Sequence, residues 1–269
     1  MLRKIWSKEE FESLDNESLS NLGLRPKIIN KNTKNKKSND LILDIESLSF
    51  HYKKTKLGID DIDLKLYKGE VVSLLGNNGA GKTTLCKVIS GLLKENGGSI
   101  KYRGKVANRN LRNKFCYFVM QDADYQLFGT SVQAELEIAD HKISQKDIRD
   151  VMDYLQLTKY ADTHPFSLSG GQKQRIQVAL GILSNRKVII FDEPTSGLDL
   201  SSMRRVAREI QELKKKACVI VISHDYEFIR YISNRVVYLK DTTVKKDIPL
   251  NAEHLSEFNQ IFIEMRDES

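Results

Sequence analysis

The segment Gly76-Asn77-Asn78-Gly79-Ala80-Gly81-Lys82-Thr83 fits the spacing G-x-x-x-x-G-K-[ST] and lies between an apolar stretch, Val71 to Leu75, and a helical pattern, Thr84 to Leu93. A buried strand that turns through glycines into a helix aims backbone amides and the positive end of that helix at one point. That is the environment a triphosphate needs. Strands and helical patterns alternate from Val71 to Leu239, so the expected fold is α/β with a mainly parallel sheet. The preceding stretch, Leu41 to Leu66, is strand-rich and reads as an antiparallel layer.

Two further segments belong to the same chemistry. In Val188-Ile189-Ile190-Phe191-Asp192-Glu193 an apolar strand ends on two adjacent carboxylates, an unusual place for charge unless a divalent ion is held there. ATP with Mg²⁺ supplies the reason: Lys82 faces the β- and γ-phosphates, Thr83 and Asp192 hold the ion, and Glu193 orients or deprotonates the attacking water. In Leu168-Ser169-Gly170-Gly171-Gln172, Ser169 and both glycines precede a helical pattern, Gln174 to Leu183, and so form a second anion site at a helix start. One nucleotide needs one such site per chain. The second is therefore expected to close over the γ-phosphate of an ATP bound to another subunit.

In this order the segments resemble the nucleotide-binding subunit of an ATP-binding-cassette transporter, over roughly Leu41 to Lys240. The resemblance implies a P-loop NTPase domain of the ABC type, with an antiparallel β subdomain and a helical subdomain. It also implies nucleotide contacts from Gly76, Asn77, Asn78, Gly79, Ala80, Gly81, Lys82, Thr83 and Thr84, and, across the dimer, from Ser169, Gly170, Gly171, Gln172 and Asp199. Tyr52 matches the aromatic on which adenine stacks, and Gln121 the glutamine that links Mg²⁺ and water to the transporter contact region. Asp199, in Ser196-Gly197-Leu198-Asp199, matches the loop that crosses to the partner, and His224 the switch histidine on the γ-phosphate. Taken alone, Tyr52 reads equally as a strand tyrosine, Gln121 and His224 as strand-end residues, and Asp199 as the N-cap of a helix over Leu200 to Leu213.

Within that family, Asp122-Ala123-Asp124-Tyr125-Gln126-Leu127-Phe128 is similar to the Q-x-P-x-x-Q-L-F segment of cobalt-type and energy-coupling-factor ATPases. The resemblance implies uptake of a vitamin or transition-metal ion. The implied partners are a second cassette (an identical chain or a paralogue), a membrane coupling subunit and a small substrate-capturing membrane protein. The departure is Ala123, which lacks the rigid ring of the family's proline. A cassette acting on ribosomes or chromosomes is the other class weighed; the tandem cassettes and long heptad repeats of those proteins have no counterpart here.

The expected organisation is an N-terminal extension or linker over 1–40, partly disordered, an ATPase domain over 41–248, and a tail with a short helix over 249–269. The helical subdomain falls at about 122–172. Its helical spacing runs from Gln133 to Leu157 through Ile138, Ile148, Val151, Met152 and Leu155, and the terminal helix is expected over Asn251 to Met265. Lys8 to Leu22 reads as a short amphipathic helix, and Arg25 to Lys37 as a solvated basic linker able to graze anionic lipid. Asn21 to Pro26 resembles the tail that ends the first half of fused two-cassette energy-coupling ATPases. No apolar run reaches the ~20 residues that span a bilayer, and the start Met1-Leu2-Arg3-Lys4 carries no secretory core. A peripheral protein at the cytoplasmic face of the membrane is expected. The net charge of +7 is dispersed, so no nucleic-acid partner is expected, and Cys86, Cys116 and Cys218 read as reduced core thiols.

Overall fold

The structure is a computed structural model that describes residues 39–267 apart from Lys56 and His141. The N-terminal features expected between Lys8 and Lys37 lie outside the described residues. Two sheets carry the fold. The first holds β1 (Leu41–His51), β2 (Gly58–Tyr67), β4 (Gly97–Tyr102) and β5 (Lys105–Val106) in the order β2-β1-β4-β5, all antiparallel. The second holds β3 (Val71–Leu75), β6 (Cys116–Val119), β7 (Val188–Asp192), β8 (Cys218–Ile222), β9 (Arg235–Lys240) and β10 (Thr243–Pro249) in the order β10-β9-β3-β8-β7-β6. Of its five pairings all are parallel except the β9–β10 hairpin at the edge.

The helices are α1 (Lys82–Ile89), α2 (Arg109–Phe115), α3 (Val132–Glu137), α4 (Gln145–Tyr154), α5 (Gly170–Leu183), α6 (Leu200–Leu213), α7 (Tyr226–Ile232) and α8 (Leu255–Asp267). Helices α4, α5 and α6 cover the parallel strands on one side, and α1 together with the antiparallel sheet covers the other, so β3, β7 and β8 are buried along their whole length. Their side chains divide by the strand period of two. Val72, Leu74, Val188, Ile190, Cys218 and Ile220 join the core shared with β1 and β2, whereas Val71, Ile189, Phe191, Val219 and Val221 join the core shared with α4, α5 and α6. All three thiols are free and buried.

Four elements differ from the sequence expectation; one is the terminal helix, expected over Asn251 to Met265, which runs over Leu255–Asp267. The helix expected over Thr84 to Leu93 begins at Lys82 and stops at Ile89, because Gly91 takes a left-handed φ of +80° and its N–H bonds to the Val88 carbonyl. The helix expected from Gln174 begins four residues earlier, at Gly170. The spacing from Gln133 to Leu157 is split into α3 and α4, and Ile138, expected on the packed face, is 62% exposed. The break has a local cause. Asp140 accepts the Lys142 N–H in an Asx turn, and Ser144 and Asp147 then form a capping box that starts α4 afresh.

Candidate active site

The parallel register brings the candidate residues to one edge. Leu74 lies opposite Ile222, Ile222 opposite Asp192, and Phe191 opposite Val119. The chain therefore leaves β3 into Gly76, β8 into His224, β7 into Glu193 and β6 into Gln121 at the same carboxyl-terminal edge, where open α/β sheets hold ligands.

The glycine loop is shaped by close approaches. Gly76 has φ +149°, and a Cβ there would sit 2.3 Å from the Leu239 carbonyl oxygen; at Gly81, φ +98°, it would sit 2.7 Å from Ile59 Cγ2. The second contact packs the start of β2 against the loop, and β2 is joined to β1 by the turn that carries Tyr52, whose N–H donates to the Leu57 carbonyl. Tyr52 is partly exposed with its ring edge-on to Phe50, centroids 4.9 Å apart. Lys82 opens α1 and is buried; its Nζ donates to the carbonyls of Gly76 (2.6 Å) and Asn77 (3.0 Å). Asn78 and Gly79 are exposed, Ala80 is buried, and the first amides of α1, from Lys82 to Thr84, have no acceptor within the helix.

Thr83 Oγ1 donates to Asp192 Oδ2 at 2.9 Å, so the hydroxyl and carboxylate expected to share an ion are adjacent. Both are hard oxygens at the mouth of an anion site, which suits Mg²⁺. Burial pushes the Asp192 carboxyl above its ordinary value, against the Thr83 hydrogen bond and the Lys82 charge. Glu193 follows directly in a left-handed conformation, φ +50°, held by its N–H donating to the Ile222 carbonyl at 2.9 Å. That conformation is uncommon for a residue with a Cβ and is concentrated at functional positions. Burial, and then the Asp192 charge, push the Glu193 carboxyl up to about 7, while Ser223 and the His224 backbone oppose the shift by hydrogen bonding. Glu193 Oε1 is buried without a hydrogen-bond partner and lies 3.7 Å from His224 Nε2. Partial burial and then the Lys82 charge hold the His224 imidazole below its ordinary value.

Gln121 is exposed just past the end of β6. The segment after it is tied down by side chains. Gln126 accepts the Met120 N–H (2.7 Å) and donates to the Phe118 carbonyl (2.7 Å); Gln177 of α5 donates to both the Met120 carbonyl (3.0 Å) and Gln126 Oε1 (3.1 Å). Asp122 accepts the Asp124 N–H at 3.0 Å, an Asx turn that supplies locally the constraint lost with proline at Ala123. Glu135, a buried carboxylate, accepts the N–H groups of Phe128 and Gly129. These ties leave Tyr125 and Phe128 projecting, 74% and 81% exposed. The clamp of Glu135 was not anticipated from the sequence; its one signal is an acidic residue between Val132 and Leu136 on the buried face of α3.

Ser169, Gly170, Gly171 and Gln172 stand elsewhere, at the start of α5. Gln172 Oε1 accepts the Ser169 N–H at 2.8 Å and its Nε2 donates to the Tyr160 hydroxyl at 2.7 Å. A Cβ on Gly171 would meet the Gly197 carbonyl oxygen at 3.0 Å, which sets this helix start beside the Ser196 to Asp199 loop. Asp199 caps α6 by accepting the Ser202 N–H at 3.1 Å, and its hydrogen bonds to Ser202 hold its carboxyl below the ordinary value. Thus the structure brings together Lys82, Thr83, Asp192, Glu193 and His224, with the start of β2, which follows the turn that carries Tyr52, against the loop. The contacts of Ser169 to Gln172 run instead to Tyr160, Gly197 and Leu198.

Comparison with known proteins gives three kinds of match. Residues 59–196 fit the family model described as ABC transporter. A putative ABC transporter ATP-binding protein of Treponema denticola is 40% identical over 213 residues, 78% of this chain and 43% of that protein. The chain thus spans less than half the length of this relative. The energy-coupling factor transporter ATP-binding protein EcfA of Methanococcus maripaludis is 31% identical over 217 residues, 76% of this chain and 78% of that protein. Among solved structures, cbiO1 from Clostridium perfringens, described as part of the ABC transporter complex cbiONQ, is 26% identical with a TM-score of 0.70, covering 84% of this chain and 93% of its own.

Proposed function

Since the chain belongs to the ABC transporter ATP-binding family, whose cassettes bind and hydrolyse ATP, we propose that it is the ATP-hydrolysing subunit of an energy-coupling-factor type importer that takes up a vitamin or transition-metal ion. The observation that carries the hydrolytic part is Glu193: a carboxyl with one oxygen unpaired, raised to about 7, beside the Thr83–Asp192 pair and within 3.7 Å of His224. In this reading Glu193 takes or orients the proton of the attacking water, His224 contacts the γ-phosphate, Lys82 and the loop amides hold the phosphates, and Tyr52 stacks on adenine. Thr83, Asp192 and Gln121 would hold Mg²⁺, which neutralises charge on the phosphate oxygens.

Gly170 supports a site shared between two cassettes. A Cβ there would meet nothing within 4 Å, and the position does not need a left-handed backbone, so this chain's own fold gives no use for the missing side chain. Its use lies outside the chain, against the nucleotide of a second cassette, with Asp199 crossing beside it. Gly170→Ala is therefore expected to leave the melting temperature of the isolated chain equal or slightly higher, since alanine favours helix. It should weaken MgATP-dependent dimerisation about tenfold, the cost of one intruding methyl in a close contact. A thermal melt of the isolated chain checks the first, and analytical ultracentrifugation with and without MgATP the second.

The importer class rests on the projecting Tyr125 and Phe128, held out by Gln126 and Glu135 as a ready surface for the membrane coupling subunit. Phe128→Ala should weaken that association by about thirtyfold, the effect of losing an interface anchor, while basal hydrolysis by the free chain changes less than twofold. Among the described residues no helix is long and apolar enough to cross a membrane. The deciding experiment is purification of the chain from its native membranes. A polytopic subunit, a second cassette and a small membrane protein are expected with it; ribosomal or chromosomal proteins in their place would overturn the transport reading.

A further inference from the structure

Tyr226, two residues beyond His224 and the first residue of α7, is fastened to α8 by both its ring and its hydroxyl. Tyr226 Oη donates to Asn259 Oδ1 at 2.7 Å. The ring stacks on Phe258, centroids 5.1 Å apart at 27°, and stands edge-on to Phe262, 5.1 Å apart at 83°. Phe258 is fully buried in an apolar cluster that includes Leu75, Ile229, Val236 and Tyr238. Leu75 is the last residue of β3, immediately before Gly76. The terminal helix is thus braced on the root of the glycine loop and on the start of α7 at once.

Only three residues separate Ile222, the end of β8, from Tyr226. Ser223 Oγ accepts the Asp225 N–H at 3.1 Å, and Asp225 caps α7 by accepting the Phe228 N–H at 3.1 Å. His224 rides on this short turn with its side chain about half exposed. A half-exposed ring has little packing of its own, so its direction is set by the turn that carries it, and one end of that turn is fixed by α8.

We propose that Tyr226 is a positioning residue for His224, anchored by Asn259, Phe258 and Phe262 of the C-terminal helix. The inference rests on the role of His224 in hydrolysis given above. The test compares full-length chains carrying Tyr226→Ala, Tyr226→Phe and Asn259→Leu for kcat, KM for MgATP, melting temperature and histidine-ring NMR signals. Tyr226→Ala is expected to lower kcat about tenfold, the effect of a small misplacement of a reacting group, with KM altered less than about twofold. The ring signals of His224, identified by their loss in His224→Ala, should shift while those of His51 and His164 stay in place. Tyr226→Phe keeps both ring contacts and should retain at least about half of kcat, and Asn259→Leu should fall between the two. If Tyr226→Ala does not fold, the Asn259→Leu chain must still show a lower kcat at unchanged KM with displaced His224 signals. Unmoved His224 signals, or a fall in kcat matched by a rise in KM, overturn the inference. Full hydrolysis by His224→Ala removes the histidine from the reaction and sinks the reading beneath it. Impaired His224→Ala together with a fully active Tyr226→Ala sinks the inference alone.

Discussion

Glu193→Gln should lower steady-state ATP hydrolysis by about 10²- to 10³-fold, the range lost with a general base, while MgATP binding persists. The amide keeps the shape and one hydrogen-bond acceptor but cannot take a proton. With saturating MgATP the variant should elute as a dimer, because the shared site closes and does not reopen by hydrolysis; a monomeric profile counts heavily against a shared site. The wild-type pH profile follows from the same group. The nucleotide-free carboxyl ionises at about 7, so kcat/KM should rise with pH through that value and flatten above it. Stability runs the opposite way. A carboxyl raised from 4.5 to about 7 binds its proton more tightly in the folded chain, which contributes stability at low pH that is lost as pH rises through the folded value. Glu193→Gln should therefore stabilise the nucleotide-free chain at about pH 8, by roughly 2 kcal/mol after allowance for solvent screening, and leave it unchanged near pH 4. Thermal melts at the two pH values check the sign.

Lys82→Ala is expected to weaken MgATP binding by about a hundredfold or more, since it removes charge-assisted contacts to two phosphates, each worth about 1.5–3 kcal/mol. The change also removes the two bonds by which Nζ draws together the carbonyls of Gly76 and Asn77. It further deletes a positive charge that holds Asp192 and Glu193 down, so both carboxyls should titrate at higher pH in the variant. Lys82→Arg should not restore affinity, because the position is buried and a planar fork does not replace a compact ammonium. A nucleotide titration by calorimetry measures the loss, and retained affinity would remove Lys82 from the site.

The parts of the site that were legible in the sequence are those where ligand chemistry dictates residue type at fixed spacing. In the reading proposed above, Gly76, Gly81, Lys82 and Thr83 answer to phosphates approached by backbone, and Asp192 and Glu193 to an ion at a strand end. The structure adds a second reason for Gly81 that no local pattern carries, the approach of Ile59 from another sheet. What was hidden depends on partners distant in sequence. Glu135 looks like one more surface acid until its carboxylate is seen on the amides of Phe128 and Gly129. Ile138 fits the helical period yet stands in solvent, because the Asx turn and capping box around Asp140 and Ser144 prevail over periodicity. The left-handed backbone of Glu193 is set by the pairing of its N–H with Ile222, on a neighbouring strand.

The stapling of the segment after β6 has a mechanical consequence. Gln177 and Lys173 both belong to α5 and reach the Met120 carbonyl, Gln126 and Asp124, so the helix that begins with Gly170 and the knuckle that bears Tyr125 and Phe128 form one stiff handle. Whatever grips the knuckle holds that helix as well. In the transport reading proposed above, thermodynamic reciprocity then requires that a partner with higher affinity for the nucleotide-bound chain raise nucleotide affinity by the same factor, so load on the knuckle would be felt at the phosphate.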